Sequence, residues 1–414
     1  LGQTWHTLAA NKGRSLAKPR LEAELTLKKV SGLGMKPVLT VVADDNMPGV
    51  EACLAHLLDS HDVQLRRLAG RQMQSSDLVG CDWLLVRSIT PVNTVLLAAH
   101  QPQFIGTATI GTDHLDLEFI KQRQIAWSAA PGCNALAVAQ WVATVLVHII
   151  SQQSKPISEL RLGIVGLGNV GKAVAQVGQA LGLQVSAHDP FLNTGPVPLL
   201  GLADLLTESD LVCLHTPLTR AGLHPTFALI DASVLAQMKS SAWLINAGRG
   251  EVVQQVDLLE ALKHQRIQGV VLDVWPQEPL ISDELLALVT LGSPHIAGHS
   301  LEGKWRGTWM IIAAACQAAG LPAPPALSEL MPNQGCLSLT LTPPSPAKTD
   351  IERLAELLRQ SVDIVGDDQR LRQREDFDQL RKNYPVRREF MAHDLLIESD
   401  DPLRQVLGDL GFRC

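Results

Sequence analysis

Between residues 35 and 115 the chain alternates short β-branched runs with longer segments whose apolar positions recur at helical spacing. VLTVVAD is followed by VEACLAHLLDS, then by DWLLVRS, NTVLLAAH and QFIGTATIG. The alternation resumes at RLGIVGLGNVG and continues through QVSAHDP, DLVCLHTP, AWLINAG and GVVLDVW. Apolar runs separated by helix-length segments predict βαβ units, because parallel strands need a crossover connection and a helix usually supplies it. The predicted fold class is therefore α/β, with two doubly wound, Rossmann-like lobes built on parallel sheets. The run ALAVAQWVATVLVHII at 135–150 is apolar on nearly every face. It falls short of the roughly 20 residues that span a bilayer, so it predicts a buried helix.

After about residue 318 the pattern breaks. AAGLPAPPALSELMPNQG is rich in proline and predicts an extended connection over 321–332 in place of a regular helix. Beyond it, LSLTLTP alternates like a strand, TDIERLAELLRQSVDIV is amphipathic, and RLRQREDFDQLRKNYPVRREF is dense in charge. A smaller α+β domain over 333–414 follows. The first lobe is expected to span 35–134 together with 293–320, and the second 135–292. Residues 1–34 carry Lys12, Arg14, Lys18 and Arg20 but no continuous apolar stretch. Met35, at the head of the first strand, is the expected natural start, with the preceding leader outside the fold.

Composition then limits the partners. A chain of 414 residues suffices for two or three domains and a large interior. A net charge of −7 offers no broad positive surface, so neither nucleic acid nor membrane is an expected partner and small molecules are. Seven cysteines, at positions 53, 81, 133, 213, 316, 336 and 414, form no C-x-x-C pair, zinc spacing or small disulfide framework. No metal site and a reducing, cytoplasmic setting are expected.

The sharpest motif is GIVGLGNVG, in which Gly166, Gly168 and Gly171 follow an apolar strand and open a helical run. The first glycine permits the tight turn, the second admits a pyrophosphate, and the third lets helix and strand pack closely. The helix N-terminus favours the phosphate charge. Asp189 ends the next strand, where a carboxylate can accept ribose hydroxyls and would repel a 2′-phosphate, so NAD is the expected cofactor. Its simpler reading is a turn cap before Pro190. Three further segments fall at strand ends: INAGRG brings Arg249, LDVWPQEP brings Asp273 and Glu278, and SPHIAG brings His295. Hydride transfer from a hydroxy acid needs a cation for the carboxylate and a group that exchanges the hydroxyl proton near neutral pH. An arginine and a carboxylate-supported histidine meet both needs.

With Arg249, Glu278 and His295 in this order behind the glycine motif, the chain resembles the D-isomer-specific 2-hydroxyacid dehydrogenases. VRSITPVN, FIGTATIGTDHLD, SAAPGCNALAVAQWV and HIAGHSLEGKWRGT extend the resemblance to a branch acting on a small phosphorylated hydroxy acid. In that branch a C-terminal part like FDQLRKNYPVRREF holds a homodimer together. The resemblance implies that Arg249 orients the substrate carboxylate, that His295 is the acid-base group, and that Glu278 keeps the imidazole protonatable. It implies NAD contacts at Asn169, Val170, Asp189, Thr216, Ala247, Gly248, Arg249, Asp273 and Gly298, and substrate contacts at Ser88, Thr109 and His299. The branch usually has tyrosine where this chain has His299, and a protonated histidine there would pair with a phosphate. Gly248 stands where cysteine or serine is common. Arg87, Lys304 and Arg306 are candidate phosphate partners, the last two equally readable as solvated helix charges. Cys133 reads as a small buried residue and His114 as a local hydrogen-bonding group. Two alternatives stay open: another 2-hydroxyacid dehydrogenase, such as a phosphoglycerate type, and an NAD-sensing binding protein on the same fold.

Overall fold

The computed structural model describes residues 23–26, 36–373 and 376–413. Six strands form the first sheet: β1 (Ala23–Thr26), β2 (Val38–Asp44), β3 (Asp62–Leu68), β4 (Trp83–Val86), β5 (Phe104–Thr107) and β6 (Ala126–Ser128). Their order is β1-β3-β2-β4-β5-β6, parallel throughout except for β1, which runs antiparallel to β3. The expected leader is corrected in part, because Ala23–Thr26 is drawn onto the sheet edge; Met35 and the remainder of 1–34 lie outside the described residues. β3 escapes the sequence pattern because Gln64, Arg66 and Arg67 make it look polar. Arg66 and Arg67 turn those charges onto backbone carbonyls at Asp77, Val79, Asp45 and Met47.

The second sheet contains β7 (Arg161–Val165), β8 (Gln184–His188), β9 (Leu211–Leu214), β10 (Trp243–Asn246), β11 (Gly269–Leu272) and β12 (Leu291–Gly292). All six are parallel, in the order β12-β11-β10-β9-β7-β8. β9, β10 and β11 are buried at every position, as strands covered by helices on both faces should be. Both sheets are thus doubly wound, in agreement with the sequence.

Helix Ala135–Ile150 packs against the helix Asn169–Ala180 and anchors the second lobe, nearly all of its residues buried. Helix Leu301–Ala318 returns the chain to the first lobe, where the missing side chain of Gly106 lets Ile311 approach β5. NTVLLAAH yields a single turn, Thr94–Leu97, which stops at Ala98 with φ 40°. Within the proline-rich connection Leu327–Leu330 also forms one helical turn, a small departure from the extended reading.

The C-terminal unit pairs β13 (Ser338–Thr340) with β14 (Asp394–Leu396) and adds the helices Asp350–Ser361, Ile364–Arg372, Phe377–Lys382 and Arg404–Asp409. Helix Asp350–Ser361 starts at a capping box of Thr349 and Glu352. Its Leu354, Leu357 and Leu358 join Trp141 and Val145 of Ala135–Ile150 in one continuous core. Phe377 and Leu380 enter the other face of the second lobe. The unit therefore wraps the second lobe, although a proline-rich segment separates it in sequence. Among the described residues no helix is long and apolar enough to cross a membrane.

Candidate active site

Strand β7 ends at Val165 and the chain turns at Gly166, whose φ of 92° disfavours any side chain. A β-carbon there would press on the His215 backbone, and one at Gly171 would collide with the Gly166 carbonyl. Gly168 differs, with nothing within 4 Å of where its β-carbon would stand. It caps helix Asn169–Ala180 and leaves open space at that N-terminus, the geometry that lets a phosphate group approach backbone N–H donors. Asn169 faces Gly132 from the first turn, and Val170 leans on the core.

Asp189, just past β8, accepts from Leu167 N at 2.9 Å and from Phe191 N at 3.1 Å. It therefore steadies the glycine loop and caps the turn together, and a carboxylate retains lone pairs for ribose hydroxyls. Past β9, the Thr216 hydroxyl is buried without a partner among the described residues, and its side chain lies against the Gly166 turn. Past β10, Gly248 N donates to Asn246 Oδ1 at 3.0 Å while Asn246 Nδ2 holds the Arg249 carbonyl at 3.0 Å. Ala247, Gly248 and Arg249 keep partial exposure along this edge, and Gly298 packs on the Asn134 amide. An open glycine, an orphaned hydroxyl and a strand-end acid together suit a dinucleotide.

The chemistry gathers past β11 and β12. Glu278 Oε2 lies 2.7 Å from His295 Nδ1, and Glu278 Oε1 accepts from Trp275 N at 2.9 Å. Burial opposes the charge on Glu278, but the imidazole bond and charge, the Trp275 N–H and Arg381 outweigh it and hold the carboxyl below its ordinary range. An ionised carboxylate only accepts, so Nδ1 donates and Nε2 is left for a ligand. The imidazole keeps about a third of its surface exposed, so a ligand can reach it.

His295 sits in the left-handed region, with φ 55°. Its N–H donates to the Asp273 carbonyl at 2.7 Å. The Asp273 carboxylate takes Ser293 Oγ at 2.6 Å, Ile296 N at 2.7 Å and Ala297 N at 3.0 Å. Asp273 is 1% exposed, so the expected cofactor contact is corrected: its carboxylate is engaged by the loop that aims His295 and has almost no surface to offer a ligand.

Arg249 approaches from β10 and reaches the first lobe, pairing with Asp113 at 3.3 Å. Its guanidinium fits only because Gly111 lacks a side chain. The pair is exposed and contributes about 0–1 kcal/mol, so an incoming carboxylate can displace Asp113 at little cost. Sequence reasoning missed Asp113 in GTDHLD and weighed its neighbour His114 instead. Burial depresses His114 to about 4, and its ring bonds Thr107 at 2.9 Å, a structural role. Thr109 Oγ1 donates to the Gly111 carbonyl at 3.0 Å and shapes the same turn. Ser88 is exposed at the end of β4, beside Arg87.

Several cations act on His299. Burial of its ring, then Lys304, Arg381, Arg87 and His295, drive its pKa well below the ordinary value, so the idea of a protonated His299 is corrected to a neutral one. Its Nδ1 has no partner among the described residues, and Tyr384 stands edge-on at 6.1 Å. Lys304 is pushed down to about 8 by burial and by Arg87, Arg387 and Arg381. Arg306 does not belong to this group. It clasps the fully buried Glu389 at 3.0 and 3.2 Å and also bonds the Cys133 carbonyl, which removes it as a phosphate candidate. Burial pushes the Cys133 thiol up to about 11, in keeping with an inert residue. Nothing local in FDQLRKNYP singles out Arg381 or Tyr384; the one available signal is that Tyr384 is the chain's single tyrosine.

The D-isomer specific 2-hydroxyacid dehydrogenase, NAD binding domain matches residues 137–297, and a domain of unknown function, DUF3410, matches 340–411. Erythronate-4-phosphate dehydrogenase of Cellvibrio japonicus is 41% identical over 91% of this chain and 100% of its own length. The protein of that name from Acinetobacter baylyi is 40% identical over 86% and 99%. Among solved structures, the TT0316 protein of Thermus thermophilus aligns with a TM-score of 0.57 at 27% identity, covering 70% of this chain and 100% of its own. D-Lactate dehydrogenase from Aquifex aeolicus, complexed with NAD and lactic acid, aligns with a TM-score of 0.57 at 23% identity, covering 68% and 96%, and supports the fold.

The anchoring role of Asp273 is open to direct measurement. Asp273→Ala leaves the Ile296 and Ala297 amides and the Ser293 hydroxyl without their acceptor, a loss of about 2–4 kcal/mol in unfolding free energy. Hydrogen exchange at Ile296 and Ala297 should accelerate with it. Unchanged protection at both amides would show that the loop is held by something else.

Proposed function

The chain belongs to the erythronate-4-phosphate dehydrogenase family, within the D-isomer-specific 2-hydroxyacid dehydrogenases, and we propose from that premise how its residues carry the reaction. The chain oxidises 4-phospho-D-erythronate to (R)-3-hydroxy-2-oxo-4-phosphooxybutanoate with NAD, a step we assign to pyridoxine 5′-phosphate biosynthesis. The observation that carries the residue assignment is the Glu278–His295 bond of 2.7 Å in the cleft that Arg249 enters on its way to the opposite lobe. Arg249 exchanges Asp113 for the substrate carboxylate and polarises the adjacent C2 oxygen. His295 Nε2 takes the hydroxyl proton as the C2–O bond becomes a carbonyl, and the ionised Glu278 stabilises the imidazolium so formed. NAD, when bound, accepts the hydride from C2.

Gly166, Gly168, Asn169, Val170 and Gly171 hold the pyrophosphate side of the cofactor, and Asp189 takes the adenosine ribose. Thr216, Ala247, Gly248 and Gly298 line the remainder. On the substrate side Ser88 and Thr109 contact the hydroxy acid, and neutral His299 offers Nδ1 as a hydrogen-bonding atom. Lys304 and Arg87 support the phosphorylated substrate: neither makes an ion pair among the described residues, and a cleft with spare positive charge suits a dianion.

A homodimer is also part of the proposal. Leu337, Val386, Met391 and Leu396 are exposed apolar residues of the C-terminal unit, where a second copy would cover them.

With 4-phosphoerythronate and NAD, the absorbance of NADH should appear with wild-type protein. His295→Asn and Arg249→Gln should each lower kcat/KM by about 10²–10⁴-fold while NAD affinity is retained. Full activity in either variant would reassign the centre. The KM for the phosphorylated acid should rise as the pH climbs through about 8, because the Lys304 ammonium is lost there. Lys304→Arg should flatten that rise, and a KM unaffected by it would remove Lys304 from the phosphate. In sedimentation, the wild-type chain should run as a dimer and the Met391→Glu, Leu396→Glu double variant as a monomer; a variant that stays dimeric would place the interface elsewhere.

A further inference from the structure

Helix Phe377–Lys382 lies in the segment that the domain of unknown function matches, and it touches both lobes. Phe377 and Leu380 are buried in the core of the second lobe. Asp378 crosses to the first lobe and pairs with Arg71 at 2.9 Å. Asp376 caps the start by accepting from Gln379 N at 2.8 Å. The remaining direction belongs to Arg381, which is turned inward.

Arg381 is a half-buried arginine whose Nε has no hydrogen-bond partner among the described residues. Its nearest acid on the helix, Asp378, is 3.9 Å from the guanidinium and already engaged with Arg71. The other acids that act on it are Glu278, which is committed to His295, and Asp273, which is committed to the loop. The charge of Arg87, from the end of β4, also acts on it, and Arg381, Arg87 and Lys304 of helix Leu301–Ala318 all act on the His299 ring. Asp44 also acts on Arg87, so Arg87 is the least free of the three cations. Lys304 has no ion pair among the described residues, and the His299 Nδ1 is a second orphan atom in the same space. Like charges whose neighbouring acids are committed elsewhere destabilise a fold by repulsion, and such an arrangement is useful where an anion completes it. The Tyr384 hydroxyl, just past the helix, donates to Asp367 at 3.0 Å and sets its ring against His299, closing the far wall.

We propose that Arg381 is a ligand of the substrate phosphate, so that the C-terminal unit completes the active site of its own chain and sets its preference for a phosphorylated acid. The inference rests on the reaction proposed above. With the carboxylate on Arg249 and C2 at His295, the far end of a four-carbon acid points toward His299 and the cations around it. The guanidinium fork adds a second pair of donors to the point charge of Lys304.

The test compares wild-type protein with Arg381→Gln and Arg381→Lys, using 4-phosphoerythronate and unphosphorylated erythronate as substrates and fluorescence titration of NADH as the check on the fold. The ratio of kcat/KM for the phosphorylated over the unphosphorylated acid should fall roughly 30-fold in Arg381→Gln, mostly through KM. It should fall less in Arg381→Lys, which keeps the charge and serves as the readable variant if glutamine prevents folding. Inorganic phosphate should compete less well against the substrate in both. A ratio that stays within about twofold of wild type in the folded variants overturns the inference. A wild-type protein with no preference for the phosphorylated acid overturns the substrate reading beneath it.

Discussion

The buried carboxylate of Asp273 is the constraint on which the site depends. It gathers one hydroxyl and two backbone amides of the Ser293–Ala297 loop, and its own carbonyl takes the His295 N–H. That grip fixes a histidine in a left-handed conformation which a free loop would seldom populate. Only then does Nδ1 meet Glu278, and only with Glu278 ionised is the proton-accepting nitrogen the one that faces the cleft. The C-terminal unit reinforces the same loop. Arg387 donates to the Ala297 carbonyl, and its own carbonyl receives the Leu301 N–H at 2.8 Å.

Electrostatics divides the cleft into regions with separate tasks. On one side Arg249 is loosely held by an exposed acid. In the middle the ionised Glu278 holds the imidazole whose other nitrogen is left for the hydroxyl proton. On the far side the charges of Lys304, Arg381 and Arg87 act on a neutral His299. A molecule with a carboxylate at one end, a hydroxyl beside it and a dianion at the other end matches this sequence of charges.

Much of this was legible in the chain because the chemistry lies in local motifs at strand ends. The glycine loop, Asp189, Arg249, Glu278 and His295 each follow a strand whose apolar run announces it, and β2 spans the residues of VLTVVAD as read. What stayed hidden depends on contacts across long separations. Arg306 reads as a free helix charge until Glu389, 83 residues later, is seen to clasp it. Asp273 reads as a cofactor contact until the loop 23 residues on is seen to use up its oxygens. Arg381 carries no local signal at all, since helix charges are usually solvated and only the tertiary fold turns this one inward. The proline-rich connection marks a break in regular structure, and prolines say nothing about which core the next helix joins, so the packing of the C-terminal unit on the second lobe is invisible there.

A crystal structure of the protein with NADH and 4-phosphoerythronate measures directly which way the substrate lies in the cleft. The carboxylate is expected on the Arg249 guanidinium, the C2 hydroxyl within hydrogen-bond reach of His295 Nε2, and the phosphate among Lys304, Arg381 and His299. A ligand bound the other way round, with its phosphate on Arg249 and its C2 hydroxyl out of reach of His295, would contradict it.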